Sequence, residues 1–181
     1  NPELMWGISA KWMLHAEALT GSDDNNYMLR GASAYLKYRF YSNDDVHKHF
    51  RMAVYSRATI NANPINQEVV DLQMFHSGYE LGWVGTELIR KLAVSAGVSA
   101  VKHFGYRQNK IANGNGFAWN YNLSVGKLVL PVSYESYGQT NLNLMLEFPG
   151  QFMPSIHKTY LDAAPSIQLI FASKARLDFG Y

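Results

Sequence analysis

The chain has 181 residues, 16 Lys and Arg against 14 Asp and Glu, and no cysteine. A net charge of +2 with no basic block argues against nucleic acid as a partner. The absence of cysteine excludes a disulfide scaffold, a thiolate metal site and a Cys nucleophile. Charged residues are 17% of the chain, against roughly 25% in ordinary soluble domains. Aromatics reach 14%. No apolar run approaches the ~18 residues of a transmembrane helix. Asn1-Pro2-Glu3 is neither a start Met nor a signal peptide, so a processed or trimmed product is expected.

Residues 4 to 20 set the class. Leu4, Trp6, Ile8, Ala10, Trp12, Leu14, Ala16 and Ala18 alternate with a mixed set that includes Lys11, His15 and Glu17. This is the period of a strand; a helix would scatter these residues around its axis. The second segment sets Met28, Ala32, Ala34, Leu36, Tyr38 and Phe40 against Gly31, Ser33, Tyr35, Lys37 and Arg39, with Arg30 interrupting its apolar side. The third sets Phe50, Met52, Val54, Ala58 and Ile60 against His49, Arg51, Tyr55, Arg57 and Thr59. Val70, Leu72 and Met74 predict the start of a fourth strand, whose phase reverses before Tyr79, Leu81 and Trp83. A bulge at His76-Ser77-Gly78 would produce that reversal.

Five more segments follow, led by Leu92–Ala100, Phe117–Val125, Leu142–Phe148, Leu161–Phe171 and Ala175–Tyr181. Lys127 to Ser136 is a candidate tenth. Turn formers separate them: Thr20–Asn26, Ser42–Asp45, Asn61–Pro64, Asn113–Gly116 and Pro149-Gly150.

A soluble barrel would turn its apolar face inward, whereas a transmembrane barrel turns it to lipid. The second fits better. The best apolar faces persist over the 9–11 residues, roughly, of a lipid-crossing strand. The opposite face mixes Gly31, Gly97, Gly126 and Gly180 with Ser, Ala, Tyr and single charges, as suits a crowded lumen. Trp6, Trp12, Tyr38, Phe40, Phe117, Trp119, Tyr121, Phe171, Phe179 and Tyr181 gather near strand ends, as interfacial girdles do. The expectation is an all-β, antiparallel transmembrane β-barrel of about 10 strands (8–12), spanning 1–181 as one domain. Nine segments would mean a missing terminal strand, because bacterial single-chain barrels have even counts.

Three stretches carry a family resemblance: Leu177-Asp178-Phe179-Gly180-Tyr181, with an aromatic last residue; Gln139-Thr140-Asn141-Leu142-Asn143-Leu144 before Glu147-Phe148; and Tyr160 to Gln168. In these the chain resembles transporter-like outer-membrane β-barrel proteins of Gram-negative bacteria, of the Bacteroidota type. The resemblance implies an outer-membrane location and contact with membrane lipid or lipopolysaccharide. It also implies outer-membrane protein partners. Short turns such as Asp44-Asp45 and Ala172-Ser173-Lys174 would then be periplasmic. The longer Gly105–Asn115 and Pro149–Thr159 would be extracellular.

If the mixed faces line a lumen, Lys11, Lys37, Arg39, Arg51, Arg57 and Arg176 point inward with Glu17, Asp71, Glu80, Glu147, Asp162 and Asp178. A barrel of this size is narrow, so a plug of cross-strand ion pairs and Tyr hydrogen bonds is expected, with a charged constriction as the alternative. His47 and His49 beside Asp44-Asp45 lack a third spaced ligand, so a solvated turn is preferred to a metal site. His76-Ser77 offers a hydrolase pair without an orienting acid or oxyanion hole. No nucleophile-elbow, Walker or dinucleotide motif occurs. No catalytic residue, metal or cofactor is expected. The reading is a small passive channel or transport-associated protein. Its alternatives are a non-conducting structural or binding subunit of an outer-membrane complex, a lipid-modifying enzyme, and a soluble barrel binding an apolar ligand.

Overall fold

The structure is a computed structural model describing residues 2–23, 26–46, 48–62, 69–72, 76–104, 116–131, 133, 138–171 and 175–180. Eleven strands form one antiparallel sheet: β1 (Glu3–Gly7), β2 (Trp12–Asp23), β3 (Asn26–Asp44), β4 (Lys48–Asn61), β5 (Ser77–Ile89), β6 (Leu92–Phe104), β7 (Phe117–Leu130), β8 (Asn141–Met153), β9 (Lys158–Leu161), β10 (Ala164–Phe171) and β11 (Ala175–Gly180). Each strand pairs with its neighbour in sequence, except that both β9 and β10 pair with β8. The expected all-β antiparallel architecture is present. Closure is not: among the described residues β1 pairs with β2 alone and β11 with β10 alone, so the sheet is open between them.

The segment expected as one strand over residues 4–20 is a hairpin, turning at 8–11. The alternation runs through the turn because directly paired residues share parity, Leu4 with Ala16 and Trp6 with Leu14. Paired residues share a face, so no phase change marks the bend. Parity does reverse between β4 and β5, where Ala58 pairs with Tyr79 and Arg57 with Glu80. The expected bulge at His76–Gly78 is absent; the connection itself makes the reversal. Register shifts occur instead at Leu19/Thr20, Arg39/Tyr41 and Leu128/Leu130. Such irregularities bend a strand and increase its twist.

Other boundaries also move. Of the candidate tenth segment, Lys127–Leu130 is the end of β7, the described residues 131 and 133 are in no strand, and 132 and 134–136 lie outside the described residues. The segment expected from Leu161 to Phe171 is divided between β9 and β10. Pro149-Gly150 lies inside β8, not in a turn. Proline is tolerated there because its carbonyl, and so its missing N–H, faces the break between β9 and β10, where the Asp162 N–H donates to the Pro149 oxygen at 2.9 Å. Val70 and Leu72 belong to no strand, and Met74 lies outside the described residues.

The apolar face is the exposed one. Leu81 is 64% exposed, Leu123 45% and Val54 40%. On the opposite face Ser33, Thr59, Ser99 and Gln151 are buried. The small apolar core, Val70, Leu72, Val101, Ala118 and Met153, sits on this second face at one end of the sheet. The fold is therefore inside out relative to a water-soluble sandwich, with a polar concave face and an apolar convex one. Aromatic contacts cluster towards strand ends on the convex face: Trp12–Tyr38 and Tyr41–Phe50 at one end, Tyr79–Phe104 and Phe117–Trp119 at the other.

Candidate functional site: the polar concave cleft

The concave face encloses a cleft of about 770 Å³, with walls drawn from β1 through β9. Its most connected group is centred on Glu80. The Tyr55 hydroxyl donates to Glu80 Oε1 at 3.1 Å and the Ser99 hydroxyl donates to the same oxygen at 2.5 Å. Arg57 Nε stands 3.9 Å from Glu80 Oε2, with the two side chains 18% and 11% exposed. The Arg57 guanidinium also lies 5.3 Å from the centre of the Tyr35 ring, and that ring packs 5.4 Å from Tyr55. Cross-strand register produces the group: Arg57 pairs with Glu80, Tyr35 with Arg57, and Gly82 with Tyr55.

Gly82 is required by this packing. A Cβ there would stand 2.4 Å from Tyr55 Cζ and 2.7 Å from Ser99 Cβ. The Gly82→Val variant is expected to lose about 1–3 kcal/mol of stability, measured by denaturant titration, because the Tyr55 ring must leave its place over the glycine.

Along the wall, His15 Nδ1 meets Glu3 Oε1 at 2.5 Å, and Thr59 donates to Ser33 at 2.9 Å. Thr86 and Ser95 hydroxyls lie 2.8 Å apart, and Asn143 donates to Gln168 at 2.9 Å.

Of the twelve charged residues expected inward, Glu17, Lys37, Arg57, Asp71, Glu80 and Asp162 line the cleft. Glu3 joins them, so the described lining has five carboxylates and two cations in place of the six-against-six balance expected from sequence. Arg51 is drawn to the sheet end, where its guanidinium lies 3.1 Å from Asp44 beside His49. Arg39 Nη2 donates to the Ala10 carbonyl at 2.5 Å, tying β3 to the β1–β2 turn that also holds exposed Lys11. Glu147 pairs in register with Ser124 and Ala164. Asp178 is exposed opposite Gln168, and the Arg176 backbone pairs with Ile170. Lys11, Arg39, Arg51, Glu147 and Asp178 are not part of the described cleft lining.

Sequence reading did not single out Glu3, His15, Tyr35, Tyr55, Ser99 or Gln151. Strand parity was the signal that could have found all but Gln151, which lies past the alternation that ends at Phe148.

His47 lies outside the described residues, and His49 contacts Asp44 at 2.9 Å. Among the described residues no three metal-binding side chains come together. His76 and Ser77 do not form a nucleophile pair. The Ser77 hydroxyl donates to the Asn61 carbonyl at 2.9 Å and accepts the Asn61 N–H at 2.8 Å.

His76 instead closes a local loop. The Asp71 N–H donates to its Nδ1 at 3.2 Å, the His76 N–H donates to the Asp71 carbonyl at 2.8 Å, and its ring lies 5.0 Å from that of His103. Burial holds His76 below the ordinary histidine value of 6.5, partly offset by the Asp71 carbonyl and carboxylate. A lowered folded value means that stability is complete above about pH 6.5 and is lost as pH falls through the folded value. Amide exchange of Val70–Leu72 is expected to accelerate between pH 7 and pH 5, after correction for intrinsic rates. The His76→Gln variant should lack that step.

The chain matches no family model, no curated protein and no solved structure. The fold and cleft geometry therefore carry the functional reading.

Proposed function

We propose that the chain forms the wall of a membrane-embedded β-barrel, in a bacterial outer membrane, and acts as a small passive channel or transport-associated protein. The observation that carries this reading is the inversion of the sheet, with large aliphatic side chains exposed on the convex face and charged and hydroxyl side chains on the concave one. In water such a convex face would be an unusually large apolar patch. In a bilayer it is the required surface. The aromatic pairs near the strand ends support the same placement, at the depth of the two interfaces.

Lipid cannot satisfy open strand edges, so β1 and β11 must be paired in the membrane, with each other or with further strands. The turns at Asp44–Lys48 and between β10 and β11 fall at one end of the antiparallel sheet. The β6–β7 connection and Pro154–His157 fall at the other. The two longest connections, β4–β5 and β6–β7, share this second end with the short β2–β3 and β8–β9 turns, and the β7–β8 connection lies with the turns of the first end. The pair of long connections suits an extracellular side.

The test is planar-bilayer conductance of the refolded protein. Discrete current steps are expected, carried mainly by cations because the described cleft lining is acidic. Absence of current at every voltage would leave the second reading, a non-conducting structural or binding wall. Val70 and Leu72, folded into the concave side, favour that alternative.

A further inference from the structure

Val69–Leu72, a described part of the connection from β4 to β5, lies in the cleft. Val70 and Leu72 pack on Val101 of β6, Ala118 of β7 and Met153 of β8, all buried, with Tyr160 of β9 beside them. Gln151 of β8, 5% exposed, holds the Val70 peptide on both sides. The Val70 N–H donates to Gln151 Oε1 at 2.8 Å, and Gln151 Nε2 donates to the Val70 carbonyl at 2.9 Å. A further bond from Gln151 Nε2 to Asn120 Oδ1 at 2.7 Å fixes the amide. Gly78 leaves room for the segment, since a Cβ there would stand 3.0 Å from Leu72 Cδ2.

We propose that Val69–Leu72 is a releasable plug, latched by Gln151, that narrows the passage at its long-loop end; this rests on the channel reading above. Among the described residues the hold comprises this side-chain clamp, the two apolar anchors and the Asp71–His76 bonds, with no strand ladder. Undocking therefore breaks no β-pairing, and such a segment can open while the sheet stays folded. The inner-face residues left behind include Asn120 and Gln151, which hydrate readily.

The chain has no native cysteine, so a single thiol reports cleanly. The test labels Leu72→Cys in the detergent-folded protein with a thiol reagent, with Val70→Cys as a second reporter should the first fail to fold. Labelling should be slow in the otherwise native background. Adding Gln151→Ala should accelerate it on the order of tenfold, because two hydrogen bonds of the docked state are lost. Gln151→Glu keeps the acceptor but loses the amide donor, and should give an intermediate rate. In bilayers Gln151→Ala should raise the mean conductance.

Equal labelling rates with and without Gln151 would overturn the latch. Accelerated labelling with unchanged, measurable conductance would overturn the narrowing. Accelerated labelling with no current from any variant would instead remove the channel reading and leave the latch standing.

Discussion

An arginine at Leu123 is expected to destabilise the bilayer-inserted chain by about 2–4 kcal/mol, the cost of a cation on a lipid-facing strand near the midplane. Leu123 lies in the middle of β7, 45% exposed on the convex face. Its neighbour Asn122 points the other way, so Asn122→Arg should change stability far less, within about 1 kcal/mol. Urea titration of both variants in vesicles separates the two faces. On a water-facing surface the order would not hold, because Leu123→Arg would cost within about 0.5 kcal/mol.

Glu80→Ala is expected to cost about 2 kcal/mol, measured by denaturant titration. The change removes the acceptor shared by Tyr55 and Ser99 and leaves Arg57, 18% exposed, without its carboxylate. The figure lies below that for a fully buried pair because the ion pair is long, at 3.9 Å, and borders an open cleft. Adding Arg57→Ala should recover part of the loss, since the second change removes the stranded charge. Simple addition of the two single losses would show that Arg57 is held elsewhere, for example by the Tyr35 ring.

Much of the sheet was legible because alternation reports the face of each residue. The same property hid the bend at residues 8–11, since the pairs Leu4–Ala16 and Trp6–Leu14 keep parity across it. The reversal before Tyr79 was visible, but parity alone cannot distinguish a bulge from a connection of suitable length. Val70 and Leu72 looked like strand residues because two alternate apolar side chains also suit an extended segment lying on a wall. Pro149-Gly150 signals a turn locally; the interrupted partner on one side of β8 lets the strand continue through it.

For the cleft, parity placed Arg57 and Glu80 on one face, and cross-strand register brought them together. Tyr55 and Ser99 were not distinguishable from other residues of that face. Their importance comes from meeting at one carboxylate oxygen, which depends on the β4–β5 and β5–β6 registers. Gln151 carried no signal, because its partner Val70 is 81 residues away.

The orientation of the sheet can be read from its tryptophans. Trp6, Trp12, Trp83 and Trp119, the four in the chain, all fall on the convex face by strand parity and register. Fluorescence of the chain refolded with vesicles, with bromine placed at different depths along the acyl chains, tests that orientation directly. The inverted sheet predicts strong quenching by brominated lipid and little by aqueous iodide. Strong iodide quenching with no response to brominated lipid would contradict it.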